Sequence, residues 1–314
     1  MTRNPLRIVL TFDAESDVFD PSFNQSGDHT QSWRGIDDGI PIIDGILGQL
    51  RDSFGGRACS TWFVRCDDQL QNITGEHAYL LRHFRDCWLQ HEDAGDEIGF
   101  HPHLYKQTDT GWKQETDESA LKSQVFRAYA AMREAGFKGR VSRIGEAFSS
   151  NAVMNSLDEL GIMCDSTAMP GRVRRDSTRH IDWGGTPDLP YHPGRADYRL
   201  PGADSCALVE IPMSLVSTMA SYDREPLRRY VDLSFHHHIL IDGLSAILPT
   251  VSTLVTVTHP STILSGIAAA PHGLLSFSAA EFARNLQFIL SECNRIGRAH
   301  QFVKLSECVN NITS

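Results

Sequence analysis

The chain has 314 residues, of which 41% are hydrophobic and 22% are charged, and its formal net charge is −10. This composition is typical of a globular protein with enough apolar material for a core, and it argues against a disordered chain. The negative charge disfavours nucleic acid as a partner, because proteins that bind a phosphate backbone carry a basic surface.

Apolar runs and amphipathic stripes alternate along the chain. The runs that predict strands lie at Ile8–Phe12, Ala58–Val64, Glu97–Phe100, Ile162–Cys164, Leu208–Ile211, Leu254–Thr258 and Phe302–Leu305. Helical stripes lie at 121–132, 153–160 and 282–296, and each is followed by a glycine that suits a helix C-terminus. This alternation predicts an α/β fold with a mostly parallel sheet, open or closed into a barrel.

Residues 1–314 are expected to form a single domain, because α/β barrels commonly use this many residues as one unit. The segment 171–212 is rich in Pro, Gly, Arg and Asp and shows little periodicity. We therefore expect a long, ordered loop insertion there. Loops of this length inside a compact domain are usually functional lids or walls.

Cysteine usage and hydropathy indicate a cellular compartment. The seven cysteines are an odd number without a C-x-x-C pair, which indicates reduced thiols and a cytoplasmic protein. The first residues lack an apolar signal region, and no apolar run approaches the ~20 residues of a membrane span. The sequence does not indicate the oligomeric state.

Two acids follow the first predicted strand, in Thr11-Phe12-Asp13-Ala14-Glu15. In an extended chain residues two apart point to the same side, so Asp13 and Glu15 would project together from the C-terminal end of the strand, where barrel active sites are built. One acid could hold a metal while the other acts as a base. The alternative is a solvated acidic turn.

Two histidines follow the strand in Glu97-Ile98-Gly99-Phe100-His101-Pro102-His103. His101 and His103 are again two residues apart, so both imidazoles could reach one divalent transition metal. With Glu15 they would give three protein ligands and an open position, the arrangement of catalytic zinc sites. An isolated H-x-H is more often made of surface or core histidines.

Two further strand ends carry polar residues. Arg143, in Val141-Ser142-Arg143-Ile144-Gly145, could hold Asp13 ionised and aimed, or could form only a surface ion pair. His259 ends the strand at Leu254–Thr258 and could donate a proton to a leaving amine, or could be a core histidine whose bonds are satisfied.

The order of these motifs resembles the polysaccharide deacetylase family, also called carbohydrate esterase family 4, and is most similar to its branch in surface-polysaccharide biosynthesis. The resemblance implies a distorted (β/α) barrel of seven or eight strands with its site at the strand ends. It implies Asp13 as general base, Arg143 as the residue that steadies the base, and His259 as acid. Glu15, His101 and His103 would be the metal ligands.

The sequence departs from the usual family pattern at two positions. The family commonly has adjacent acids and His-x-x-x-His, whereas here Ala14 separates the acids and Tyr105 stands four residues after His101. Glu15 and His103 are the favoured ligands, and Tyr105 at the edge of the metal site is the alternative. Zinc suits the donor set, although Ni, Co or Mn could occupy the same ligands.

The resemblance implies a hydrolase that removes an acetyl group, most readily an N-acetyl group, from a sugar by means of an activated water. The sugar could be free, nucleotide-linked, lipid-linked or part of an oligosaccharide or polymer. Aromatic rings and carboxylates suit sugar rings, so we expect the loop segment to face the substrate through Asp182, Trp183, Asp188, Tyr191 and His192. Trp183 and Tyr191 could equally pin the loop to the barrel.

Two other functions remain open. A barrel of the same superfamily could hydrolyse a different C–N bond, such as a cyclic amide or a formamide. The chain could also be a carbohydrate-binding barrel without catalytic activity, and such a protein would bind no metal through His101 and His103.

Overall fold

The computed structural model describes residues 4–17, 31–176, 179–268 and 272–311. The strands are β1 (Leu6–Ala14), β2 (Ser60–Arg65), β3 (Glu97–His101), β4 (Tyr105–Thr108), β5 (Gly111–Gln114), β6 (Val141–Ser142), β7 (Cys164–Asp165), β8 (Val173–Arg175), β9 (His180–Asp182), β10 (Val209–Glu210), β11 (Leu215–Thr218), β12 (Leu227–Tyr230), β13 (Thr253–Val255) and β14 (His300–Phe302). The α-helices are α1 (Ile40–Leu47), α2 (Asp68–Thr74), α3 (Tyr79–His83), α4 (Arg85–Asp93), α5 (Glu118–Glu134), α6 (Asn151–Glu159), α7 (His237–Ile247) and α8 (Ala279–Arg295).

Among the described residues, the chain divides into two compact units. The first lies within 4–60 and 213–304, and the second within 61–212 and 305–311. Each unit has parallel strands connected through helices. The expectation of one domain over 1–314 remains a prediction.

The first unit is built around β1. This strand pairs in parallel with β13 on one side and with β14 on the other. Its residues are almost all buried, as expected for a strand that is covered on both faces. Helix α8 packs its apolar stripe inward, begins at the capping Ser278 and is followed by Gly297 in the left-handed conformation.

The second unit has five parallel strands in the order β10, β7, β6, β3 and β2. Between β3 and β6 runs the long helix α5, which starts at the side-chain cap Asp117. Helix α6 leads from β6 to β7 and starts at the side-chain cap Ser150. Parallel strands all end at the same edge, so this arrangement collects the residues that follow β3 and β6.

The segment 171–212 has more structure than the sequence predicts. Strands β8 and β9 form an antiparallel hairpin, and isolated bridges join Pro193 to Pro201 and Gly194 to Ser205. The expectation of a long, ordered loop insertion over these residues remains a prediction. Strands of two or three residues are too short to show an alternating pattern, which is why the sequence did not reveal them.

Candidate active site

In the first unit, β1 brings Asp13 and Glu15 beside His259. The backbone N–H of Asp13 donates to the carbonyl of Thr258 at 3.1 Å, which aligns the ends of the two chain segments. Asp13 is buried, and Glu15 is partly exposed. The Nε2 atom of His259 lies 3.2 Å from Oε1 of Glu15. Two of the predicted site acids and the predicted proton donor therefore lie together.

His259 is surrounded by carboxylates. Burial alone would lower its pKa, but the hydrogen bond to Glu15 and the negative charges of Glu15, Asp13 and Asp232 outweigh this and raise the pKa to about 9. A histidine in this environment is protonated at neutral pH. It can therefore act as a proton donor.

Asp232 is a residue of this site that the sequence analysis missed. Its side chain is fully buried, and its Oδ1 accepts hydrogen bonds from the backbone N–H and the hydroxyl of Ser234 at 2.8 and 2.7 Å. The residue before it, Val231, bridges Thr256 in parallel. The available signal was an acid near the end of a short extended segment, as for Asp13. The segment before Asp232 was hard to recognise, because Val231 pairs with Thr256 through a single bridge.

In the second unit, His101 ends strand β3 and is held by Arg143. Its Nδ1 lies 2.7 Å from the carbonyl oxygen of Arg143. A carbonyl oxygen can only accept, so the proton lies on Nδ1 and the lone pair of the neutral ring lies on Nε2. Fixing the tautomer in this way is the usual support for a metal-binding histidine.

His103 lies beside His101 with its ring perpendicular to that of His101, at a centroid distance of 5.1 Å. Its backbone N–H donates to Asp67 at 3.0 Å, and the same carboxylate forms a buried ion pair with Arg65 at 2.7 Å. Burial alone would raise the pKa of Asp67, but Arg65, His103 and backbone N–H groups lower it. Asp67 therefore stays ionised, and the sequence analysis missed it.

The second unit contains the two imidazoles of His101 and His103, and the first unit contains the carboxylate of Glu15. One carboxylate and two imidazoles form the donor set of several catalytic zinc sites, which keep a further position open. The residues present therefore fit a divalent transition metal, both by donor type and by the tautomer of His101.

Arg143 is fully buried, as its predicted supporting role requires. Its Nε donates to the carbonyl of Ser166 at 2.9 Å, and its guanidinium lies over the ring of Phe63 at 4.4 Å. Whether it steadies Asp13 remains a prediction.

Tyr105 lies near the histidines, with its ring centroid 6.0 Å from that of His103. Burial and the nearby charge of Glu146 raise its pKa, and it shares a hydrogen bond with Arg179. A phenol that keeps its proton is a poor metal ligand. This environment favours His103 over Tyr105 as the third ligand.

The residues predicted to face the sugar make intramolecular contacts. Trp183 is fully buried and its indole N–H donates to the carbonyl of Ala147 at 2.8 Å, while the buried Tyr191 donates to Tyr198 at 3.0 Å. The Asp182 carboxylate pairs with Arg175 at 2.6 Å and with Arg199 at 3.2 Å. These contacts favour the pinning interpretation for the two aromatic residues.

Asp188 and His192 are less enclosed. Asp188 is exposed, and the Nδ1 of His192 lies 3.1 Å from the carbonyl oxygen of Leu208. A role of either residue in binding a sugar stays a prediction.

No family model and no curated protein matches the sequence. Among solved structures, the chain is similar to a candidate polysaccharide deacetylase from Mycobacterium smegmatis, with a TM-score of 0.56 and 17% identity over 99% of this chain and 94% of that one.

Two weaker likenesses have TM-scores too low to bear on the fold. One is to a family 4 carbohydrate esterase from Streptomyces lividans, with a TM-score of 0.40 and 10% identity over 96% of this chain and 93% of that one. The other is to a candidate polysaccharide deacetylase involved in O-antigen biosynthesis from Bordetella bronchiseptica, with a TM-score of 0.38 and 14% identity over 97% and 90%.

None of the helices in the described part of the chain combines the length and apolar character that crossing a membrane requires. None of the seven cysteines, which all lie in the described residues, forms a disulfide. The parallel strands and the likeness to the mycobacterial structure confirm the predicted fold: the chain has the distorted (β/α) barrel of the polysaccharide deacetylase type.

Proposed function

We propose that the chain is a metal-dependent hydrolase that removes an acetyl group from an acetylated saccharide, most readily an N-acetyl group. The observation that carries this proposal is the pair of His101 and His103 in the second unit, whose ring centroids lie 5.1 Å apart and of which His101 turns its Nδ1 to the carbonyl of Arg143. The pair occurs in a fold that is shared with a candidate polysaccharide deacetylase.

Glu15, His101 and His103 would hold the divalent cation. When bound, such a cation polarises a carbonyl group and acidifies water, so that hydrolysis can proceed at neutral pH. Zinc suits two imidazoles and a carboxylate, and Ni, Co or Mn could use the same ligands. The hydrogen bond from His101 to the carbonyl of Arg143 supports this role, because it directs Nε2 away from the backbone.

Asp13 is proposed as the general base and His259 as the general acid. Asp13 would take a proton from the attacking water, and His259 would give a proton to the nitrogen that leaves the acetyl carbon. The raised pKa of His259 supports its role, because a donor must carry its proton at the pH of the reaction. Arg143 would keep Asp13 ionised.

The substrate proposed is an acetylated sugar, whether free, nucleotide-linked, lipid-linked or polymeric. Asp182 and Asp188 are proposed to lie along its binding surface. The lack of disulfides among the seven cysteines supports the further proposal that the protein works in the reducing environment of the cytoplasm.

The proposed base is tested by comparing the wild-type protein with Asp13→Asn, both loaded with zinc, for acetate release from a panel of acetylated sugars. We expect the variant to lose at least about 100-fold in rate, because it lacks the proton acceptor. The exposed Asp93 provides a matched control as Asp93→Asn. Equal rates for wild type and Asp13→Asn would refute the assignment.

Removing the metal tests whether the reaction depends on it, and the products show which bond is hydrolysed. We expect a chelator to abolish acetate release and added zinc to restore it. Protein that releases formate or opens a cyclic amide, but releases no acetate, would favour the other C–N hydrolases. Protein that binds sugar but no metal would favour the non-catalytic barrel.

A further inference from the structure

Gly145 lies directly against the imidazole of His103. A Cβ atom added at Gly145 would approach Cδ2, Nε2 and Cγ of His103 to less than 3.0 Å, a separation that real Cβ atoms essentially never show. Because Cγ is the root of the ring, a small movement of the ring tip would not relieve the overlap. The imidazole thus fills the space that any side chain at position 145 would need.

The backbone does not require glycine at this position. Gly145 is absent from the residues with a left-handed φ, so its conformation is open to alanine. The next two residues, Glu146 and Ala147, do have left-handed φ values of 58° and 53°, and neither is glycine. The chain therefore has glycine where a ring needs room, and other residues where the backbone would favour glycine.

His103 and Gly145 are both fixed at the backbone. The N–H of Gly145 donates to the carbonyl of Pro102 at 3.0 Å. The N–H of His103 donates to Asp67 at 3.0 Å, and Asp67 is itself held by Arg65. Since neither backbone can retreat easily, a side chain at position 145 would have to turn the imidazole away.

We propose that Gly145 is a positioning residue: its lack of a side chain sets the orientation in which the His103 imidazole is presented to a metal. This inference rests on the proposed function for the identity of His103 as a ligand. The contact between Gly145 and His103 lies within the second unit, which contains both residues.

The test compares zinc binding by the wild-type protein and Gly145→Ala, measured by competition with a chromogenic chelator. We expect the variant to bind zinc about 10- to 100-fold more weakly, the range seen when the support of a metal ligand is lost. Gly45 is exposed, lies within helix α1 and has nothing within 4 Å of an added Cβ. Gly45→Ala is therefore the matched control, and its zinc affinity should equal that of the wild type.

A second measurement needs no metal. In the metal-free protein, the NMR signals of the His103 imidazole should have changed chemical shifts in Gly145→Ala. They should be the same as in the wild type in Gly45→Ala. The overlap also predicts a lower Tm for Gly145→Ala, and this loss should disappear when His103→Ala is the background, because the alanine leaves room for the new methyl group.

The outcomes separate this inference from the proposed function. A wild-type protein that binds no zinc contradicts the proposed function. A wild-type protein that binds zinc, together with a Gly145→Ala variant of equal affinity and unshifted His103 signals, overturns the positioning role. An equal loss of Tm in the His103→Ala background would also overturn it, since the strain would then lie elsewhere.

Discussion

The Nε2 atom of His259 and the Oε1 atom of Glu15 lie 3.2 Å apart, so the proposed acid and a proposed metal ligand are direct partners. Glu15 follows β1, and His259 follows the bridge between Thr258 and Phe12. Parallel pairing of two segments that are far apart in sequence thus creates the contact. One carboxylate therefore raises the pKa of the proposed proton donor and is also a proposed metal ligand.

His259→Asn should separate proton donation from metal binding. We expect kcat for acetate release to fall by about 10²- to 10⁴-fold, because the leaving nitrogen loses its proton donor. Zinc content should stay close to that of the wild type, since His259 is not one of the three proposed metal ligands. Steady-state kinetics on zinc-loaded protein measure the effect.

The exposed His238 provides the control as His238→Asn, whose kcat should match the wild type. If His259→Asn kept the wild-type kcat while retaining zinc, the proton donor would have to be another group.

Glu210 should make the stability of the protein depend on pH. Burial, and then the nearby Asp165, raise the pKa of Glu210 well above its ordinary value. The folded protein therefore holds a proton that the unfolded chain releases above pH ~4.5. Stability should fall as the pH rises from that value through the pKa of the folded state.

Glu210→Gln removes this titration. The free energy of unfolding of the variant minus that of the wild type should increase between pH 5 and pH 8, by up to about 1.4 kcal/mol per pH unit. The variant thus becomes relatively more stable as the pH rises. Chemical denaturation at several pH values measures it. The exposed Glu134→Gln control should show no such trend, and parallel curves for Glu210→Gln and wild type would contradict the prediction.

Replacing Trp183 tests whether its ring anchors the segment 171–212 or contacts the substrate. Trp183→Phe leaves the carbonyl of Ala147 without its indole donor, and we expect a loss of about 1–3 kcal/mol in the free energy of unfolding. KM for the acetylated sugar should change little. Denaturant unfolding and steady-state kinetics provide the two readouts.

The half-buried Trp112 in β5 provides a control as Trp112→Phe, with a smaller loss of stability. An unchanged stability together with a large rise in KM for Trp183→Phe would instead support the predicted contact between Trp183 and the sugar.

Much of the fold could be predicted because its main signals are local. The long helices α5 and α8 begin within three residues of the predicted stripes, and the glycines that follow them, Gly136 and Gly297, are left-handed as expected. The long strand β1 also carries a continuous apolar run. The hairpin of β8 and β9 could not be predicted, because its pairs depend on partners and not on periodicity.

No spacing pattern in the sequence identifies the site residues that were missed. Asp67 acts through the backbone N–H of His103, and Asp232 acts through its charge on His259, so each depends on a fold contact between distant positions. Motif reasoning finds side chains that project from strand ends. It does not find the groups that orient them, and the close fit of Gly145 to His103 is of the same kind.

The five residues Arg143 to Ala147 act as a common support within the second unit. Arg143 binds His101 through its carbonyl, Gly145 contacts the His103 ring, Glu146 pairs with Arg179 at 2.9 Å, and Ala147 accepts from Trp183. An inserted or deleted residue in this stretch would disturb both histidines and the hairpin segment at once. If the segment 171–212 faces the sugar as proposed, changes of substrate should arise at its exposed positions, while the number of residues from Arg143 to Ala147 stays constant.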